Sequence, residues 1–474
     1  MTMRKTTRFS GSGRIRGHVV TRLTLGLATG VATSCSMPDD PSGLDADAIA
    51  AGDGELVSEI PVCTSGPIRC LAHVRTLGTS QQIESHVVPS GFGAADLQAA
   101  YRIDPARTAS EHPTVAIVNA YGYAALEADL AVYRAQYGLP ACTIAGGCLT
   151  IVNQQGKTSP LPANPPPSDD WTVEAALDLD MVSAACPRCN ILVVEATNSD
   201  DSNLYAAEDA AAALKPTVIS NSWGGPETTT IASDEAHFDH PGIATFAAAG
   251  DFGYDDQFSP MATGPDYPAT SAHVIAVGAT HLSRDTSARG WSETAWSVTG
   301  NRTKSAGGSA CSLAIPKPAY QTDSPCAFKA TTDIAAVGDP ATGVAVYNAA
   351  NAGWMEVGGT SAGSPLIAAM FAATGNGGQT SGAFIAGNAS KLNDVVSGNN
   401  GTCTSSRLCN AGVGWDGPTG YGTPDASALM TSGGGGGGGG GGCSAGGGAG
   451  VGGVLGLALL TCRRRRSGSA TSWR

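Results

Sequence analysis

The sequence predicts an α/β domain in which a central, mainly parallel sheet is flanked by helices in three layers. Three observations predict it. Short runs rich in Val and Ile recur from Asp96 onward, they are apolar throughout rather than alternating, and helical patterns fall between them. Uniformly apolar strands are those buried on both faces of a parallel sheet, and the intervening helices supply the crossovers. The expected strands are Thr114–Val118, Ile191–Glu195, Val218–Ser222, Ala244–Ala248, Val274–Val277 and Val344–Tyr347. The expected helices are Ala125–Tyr137, Trp171–Ala185, Leu204–Leu214 and Ser361–Ala373. Functional groups in such folds gather beyond the carboxyl ends of the strands, often where a helix begins.

The chain has 474 residues, enough for one large domain or two smaller ones with tails. Its formal net charge is −13, with 40 Asp and Glu against 27 Lys and Arg. Six of the basic residues lie in residues 1–35 and five in 463–474, so the body between them is strongly acidic. Such a body repels phosphate backbones, which excludes nucleic acid as a partner.

Residues 1–35 read as an export signal: basic up to Arg22, apolar from Leu23 to Val31, then Ala32-Thr33-Ser34-Cys35. The small residues before Cys35 allow either ordinary cleavage or lipidation. Residues 36–92 form a short N-terminal segment or remnant propeptide, polar and irregular in pattern. Of 13 cysteines, ten fall into close pairs: 63/70, 142/148, 186/189, 311/326 and 403/409. Short-range disulfides in an oxidising, extracellular space explain this better than metal binding, because Cys186-Pro-Arg-Cys189 has no second such pair to complete a zinc site.

Past residue 430, a Gly-rich linker (431–443) precedes an apolar segment (444–462) and a basic tail (463–474). An uncharged run closed by arginines can span a bilayer with the arginines left on the cytoplasmic side. The pattern resembles the Gly-Cys, apolar, Arg-rich sorting tails of myxobacterial-type surface proteins, which implies processing near Cys443.

The chemistry is carried by three segments. Gly358-Gly-Thr-Ser361 opens a predicted helix, exposing the Ser361 hydroxyl beside free backbone N–H groups and the positive end of the helix dipole. A serine nucleophile needs a base. None of the eight histidines is followed by glycine, so the His-Gly-Thr context of a subtilisin base is missing. Glu174 and Asp178 supply an alternative: four residues apart on a helix, they share one face. Their helix is otherwise apolar, and acids on a buried helix require a role. Two carboxyls that close share a proton, and a carboxylate base works at acidic pH. Asp251, in Gly250-Asp-Phe-Gly253 at the end of an expected strand, can aim a protonated carboxyl at an oxyanion.

Together these residues resemble the sedolisins, the serine-carboxyl peptidases, over roughly residues 93–428. The resemblance implies a subtilisin-like fold and a triad of Ser361, Glu174 and Asp178, with Asp251 in the oxyanion hole. Lesser matches are Gln136-Tyr-Gly-Leu-Pro140, Ser220-Asn-Ser-Trp-Gly224 and Tyr267-Pro-Ala269. The family's calcium pattern falls on Asn393-Asp-Val395 and Ala411-Gly-Val-Gly-Trp-Asp416. It implies Ca2+ held by the carboxylates of Asp394 and Asp416 and the carbonyls of Val395, Gly412 and Gly414. Two departures stand out: only about 60 residues separate the signal from the catalytic-type domain, where sedolisins carry a long propeptide, and Ala249 replaces a usual serine.

The expectation is therefore an exported or surface-tethered, monomeric serine-carboxyl endopeptidase that cuts proteins and peptides at acidic pH. Its rivals are a catalytically silent binding module on the same fold and a subtilisin with a concealed histidine base.

Overall fold

Seven of the eight strands in the central sheet run parallel, and their order explains how distant segments meet at one edge. The computed structural model describes residues 58–430, apart from 67, 79, 107–111, 168, 261–262 and 299–303. The expected export signal, Gly-rich linker, apolar segment and basic tail lie outside the described residues. Among the described residues no helix is long and apolar enough to cross a membrane.

The strands are β1 (Thr114–Ala120), β2 (Leu149–Asn153), β3 (Asn190–Ala196), β4 (Val218–Asn221), β5 (Ala244–Ala248), β6 (Val274–Arg284), β7 (Trp291–Ala295) and β8 (Ile334–Val337). They are ordered β7-β6-β5-β4-β1-β3-β2, with β8 also paired to β6. Only β6–β7 is antiparallel. β1, β3 and β5 are buried almost throughout, as their unbroken apolar sequences require.

Four helices serve the sheet: α1 (Leu126–Gln136), α2 (Trp171–Ala185), α3 (Asp201–Ala213) and α4 (Thr360–Thr374). α3 packs on β1 and β3, while α4 packs on β4, β5 and β8 and against α2. Every residue of α2 and α4 is buried. α2 starts where Asp170 accepts the Thr172 N–H at 3.2 Å, a side-chain cap for an orphan donor. It stops at Cys186, because Pro187 disfavours helical geometry in the residue before it.

A second, antiparallel sheet joins Glu59–Pro61, His73–Arg75, Ser85–His86, Val344–Asn348 and Gly353–Gly358. Two expectations are corrected here. Val344–Asn348 belongs to this smaller sheet rather than the central one, because it forms a hairpin with Gly353–Gly358. The segment before residue 90 is not irregular: His73 and Val74 are fully buried and pair with Gly358 and Val357. Its strands are two or three residues long, too short to leave a period in the sequence. β2, β7 and β8 were also absent from the expected set, the first two because polar residues interrupt their apolar runs.

All five expected disulfides are formed: Cys63–Cys70, Cys142–Cys148, Cys186–Cys189, Cys311–Cys326 and Cys403–Cys409.

Candidate active site

The carboxyl ends of β1, β4 and β5 face the amino end of α4, and the four expected catalytic residues converge there. Ser361 is the second residue of α4, delivered by strand Gly353–Gly358 and the turn at Gly359. Gly359 has φ +106, and a Cβ there would lie 2.1 Å from the carbonyl oxygen of Leu71, so only glycine fits. Ser361 is fully buried, and its Oγ donates to the carbonyl of Ser222, just beyond β4, at 3.1 Å.

Glu174 and Asp178 lie one turn apart on α2, both with no exposed surface. Asp178 is held by fixed donors: Ser222 Oγ at 2.5 Å and Asn119 Nδ2, at the end of β1, at 2.9 Å. Glu174 has no hydrogen bond to either oxygen among the described residues. That contrast sets their acidities. Burial, then the charge of Asp178, pushes Glu174 well above the usual carboxylate range, with the Ser361 hydroxyl acting in the opposite sense. Burial also raises Asp178, but its two hydrogen bonds limit the rise to about 7.

Asp251 follows β5 by three residues. Its Oδ1 accepts from Thr360 N–H at 2.7 Å and Thr360 Oγ1 at 2.8 Å, at the start of α4. Its Oδ2 is buried without a hydrogen bond and lies 3.6 Å from His73 Nε2. Burial raises Asp251 to about 6, opposed by His73 and by the Thr360 bonds. A buried carboxyl with a free oxygen and a pKa in that range donates a hydrogen bond when the medium is mildly acid.

Sequence reasoning passed over Asn119. Its only signal was a polar residue closing an otherwise apolar strand. Ser222 was noted within Ser220-Asn-Ser-Trp-Gly224, without its role as a donor to Asp178. His73, whose neighbours in sequence are ordinary, sits against Asp251 from the smaller sheet.

The expected calcium ligands also lie together. Gly414 N–H donates to Asp394 Oδ2 at 3.0 Å and Gly412 N–H to Asp416 Oδ2 at 2.9 Å. Burial raises Asp416 to about 7, and the like charge of Asp394 adds to the rise. Two carboxylates gathered against their mutual repulsion fit a hard cation. Among the described residues no group of three or more His, Cys, Asp or Glu side chains forms a metal cluster.

A model of the subtilase family matches residues 162–381. The fold is thus that of the subtilisin-like α/β peptidases. Kumamolisin from Bacillus sp. (strain MN-32) is 30% identical over 379 residues, covering 75% of this chain and 66% of that protein. Sedolisin from Pseudomonas sp. (strain 101) is 32% identical over 175 residues, 34% of this chain and 29% of that protein. The solved structure of Pseudomonas sedolisin, a serine-carboxyl proteinase complexed with two molecules of pseudo-iodotyrostatin, is similar with a TM-score of 0.60 and 26% identity. That similarity covers 72% of this chain and 97% of the sedolisin chain. The homology to kumamolisin and sedolisin supports the sedolisin family of serine-carboxyl peptidases. The chain spans 66% of the length of kumamolisin and 29% of that of sedolisin.

Proposed function

We propose that this protein is an exported serine-carboxyl endopeptidase that hydrolyses peptide bonds of proteins at acidic pH through Ser361, Glu174 and Asp178. One observation carries the reading. Ser222 joins the nucleophile to the acid pair: its carbonyl accepts from Ser361 Oγ at 3.1 Å while its own Oγ donates to Asp178 at 2.5 Å, although Ser361 and Asp178 come from α4 and α2.

In this mechanism Ser361 Oγ attacks the carbonyl carbon of the substrate peptide while Glu174 takes the hydroxyl proton. The carbonyl electron pair moves onto oxygen, where the Ser361 N–H and the protonated Asp251 stabilise it. The C–N bond then breaks, Glu174 returns the proton to the departing amine, and an ester to Ser361 remains. Water, deprotonated by Glu174, releases the acyl group by the reverse sequence. Asp178, fixed by Ser222 and Asn119, orients Glu174 and shares its proton. A hydrated cleft relieves part of the burial that raises both acids, and the pair then ionises once.

Asp394 and Asp416 with the backbone of Val395, Gly412 and Gly414 would hold a calcium ion, which would brace the loops that carry them. Chelation is then expected to lower the Tm in a calcium-dependent, reversible manner. Five disulfides support an oxidising, extracellular workplace. The apolar and arginine-rich tail would tether the protein before or after processing.

The test is hydrolysis of a denatured protein substrate from pH 3 to pH 8. Activity that peaks in the acid range and is absent from Ser361→Ala is the expected result. A peak near neutrality that collapses below about pH 6 would point instead to a histidine base.

A further inference from the structure

Three of the chain's eight histidines join one short segment to its neighbours, and the mechanism above uses none of them. Residues 231–240 run as two short 3-10 turns, Ile231–Ser233 and Glu235–His237, and continue to His240. Only Ile231 and Phe238 of the ten are buried, so little apolar contact holds the segment down. Phe238 is the anchor: its ring lies 6.3 Å from that of Trp223, the residue after Ser222, and 5.3 Å from that of Tyr267. The rest of the attachment is ionic. His237 Nδ1 lies 2.9 Å from Asp209 Oδ2 on α3, while His273 Nδ1 lies 3.3 Å from Asp239 and its Nε2 3.9 Å from Glu235. His237 and His273 are over a third exposed, so water screens their pairs.

His240 differs. Its Nε2 lies 3.3 Å from Oε1 of Glu208, a carboxylate on α3 with no exposed surface. Glu208 has no hydrogen bond to either oxygen among the described residues, and it lies beside the amide of Asn221, the residue before Ser222. A buried carboxylate so placed keeps its charge only beside an opposing one. Burial disfavours the charge on His240, but contact with Glu208 and the charges of Glu208, Asp209 and Asp239 outweigh it and raise His240 above the usual histidine value. Burial raises Glu208, with His240 and Asn221 acting against it and Asp209 adding to it. Both groups therefore bind protons more tightly in a closed segment than in an open one. Closure weakens as pH rises through the titration of His240.

We propose that His240 and Glu208 form a pH-operated latch: in acid their ion pair fastens residues 231–240 to α3, and near neutrality the unpaired Glu208 draws in water and the segment opens. Phe238 then leaves its place against Trp223, which loosens the strand end that carries Ser222. The link to the site rests on the peptidase reading above. The latch itself does not.

The experiment measures hydrogen–deuterium exchange of the full-length Ser361→Ala protein from pH 4 to pH 8, corrected for the intrinsic dependence of exchange on pH. Protection of residues 231–240 should fall about tenfold or more between pH 5 and pH 8, while α2 stays protected. Glu208→Gln in that background carries no charge to leave unpaired, so its protection should be equal at both pH values. His240→Lys, whose ammonium stays charged, should keep at pH 8 the protection that the histidine protein shows at pH 5. Protection that does not change with pH when both residues are native would overturn the latch, and so would a full fall retained in either variant. Should Glu208→Gln not fold, His240→Lys decides alone. The link to the site is read in active enzyme: His240→Lys should match the wild-type kcat/KM at pH 4 and exceed it about threefold or more at pH 7. Equal values at pH 7 would overturn that link. No hydrolysis by the wild type at any pH would overturn the peptidase reading and leave the exchange result standing.

Discussion

Two pairs of buried carboxyls flank this cleft, and they are held by different means. Glu174 and Asp178 sit a turn apart on one rigid helix, and Asp178 is satisfied by Ser222 and Asn119. Asp256 and Asp266 come from the loops after β5, and their opposing charge is Arg69. Burial raises all four, Asp178 and Asp266 each to about 7. The first pair is therefore completed by the body of the fold. The second takes its compensation from Arg69, on a short strand paired with Trp223 and Gly224. Similar acidities thus arise from neutral hydrogen-bond donors in one case and from an opposing charge in the other.

The comparison breaks most visibly under substitution. Asp178→Ala should lower kcat on the order of 10³–10⁴-fold, as expected for a residue that orients a catalytic base. Asp256→Asn, measured on the same substrate, should stay within about tenfold, because no step uses it. Equal losses would erase the distinction between the pairs.

Asp251 sharpens it further. Asp251→Ala should cost on the order of 10²–10³-fold in kcat, the loss of one oxyanion donor. Asp251→Asn keeps a donor that does not titrate. The wild-type decline above about pH 6, where Asp251 ionises, should therefore move upward in the asparagine variant. An unchanged alkaline limb would assign that decline to another group.

The smallest effect is on stability. Asp178, Asp251 and Asp266 rise from a usual value of 3.8 to between about 6 and about 7 in the folded protein. Between about pH 4 and pH 7 the native state thus holds protons that the unfolded chain has released, so stability falls as pH rises through that window. The Tm of the Ser361→Ala protein, which cannot digest itself, should be higher at pH 4.5 than at pH 7.5. The opposite order would mean that these acids are solvated in solution.

The legible and illegible parts of this molecule divide by length and by context. β1, β3, β5 and the four helices could be read because an apolar run or a helical period leaves its mark over five to fifteen residues. Glu174 and Asp178 stood out because acids are anomalous on an apolar helix, and Ser361 because glycines and Thr precede it at a helix start. Asn119 could not be read, since a single amide at a strand end has many structural uses. Nor could the segment 69–73: its hydrogen bonds go to Trp223, Ser222 and Ser361, some 150 to 290 positions away, and local pattern carries no record of such partners.

The most direct test of the account is the pH dependence of kcat/KM for Glu174→Gln beside the wild type, using a peptide substrate. A glutamine can neither take the Ser361 proton nor return it to the amine, so the account predicts a loss on the order of 10³-fold or more at every pH from 3 to 7. Glu174→Gln activity within tenfold of wild type at any pH in that range would contradict it.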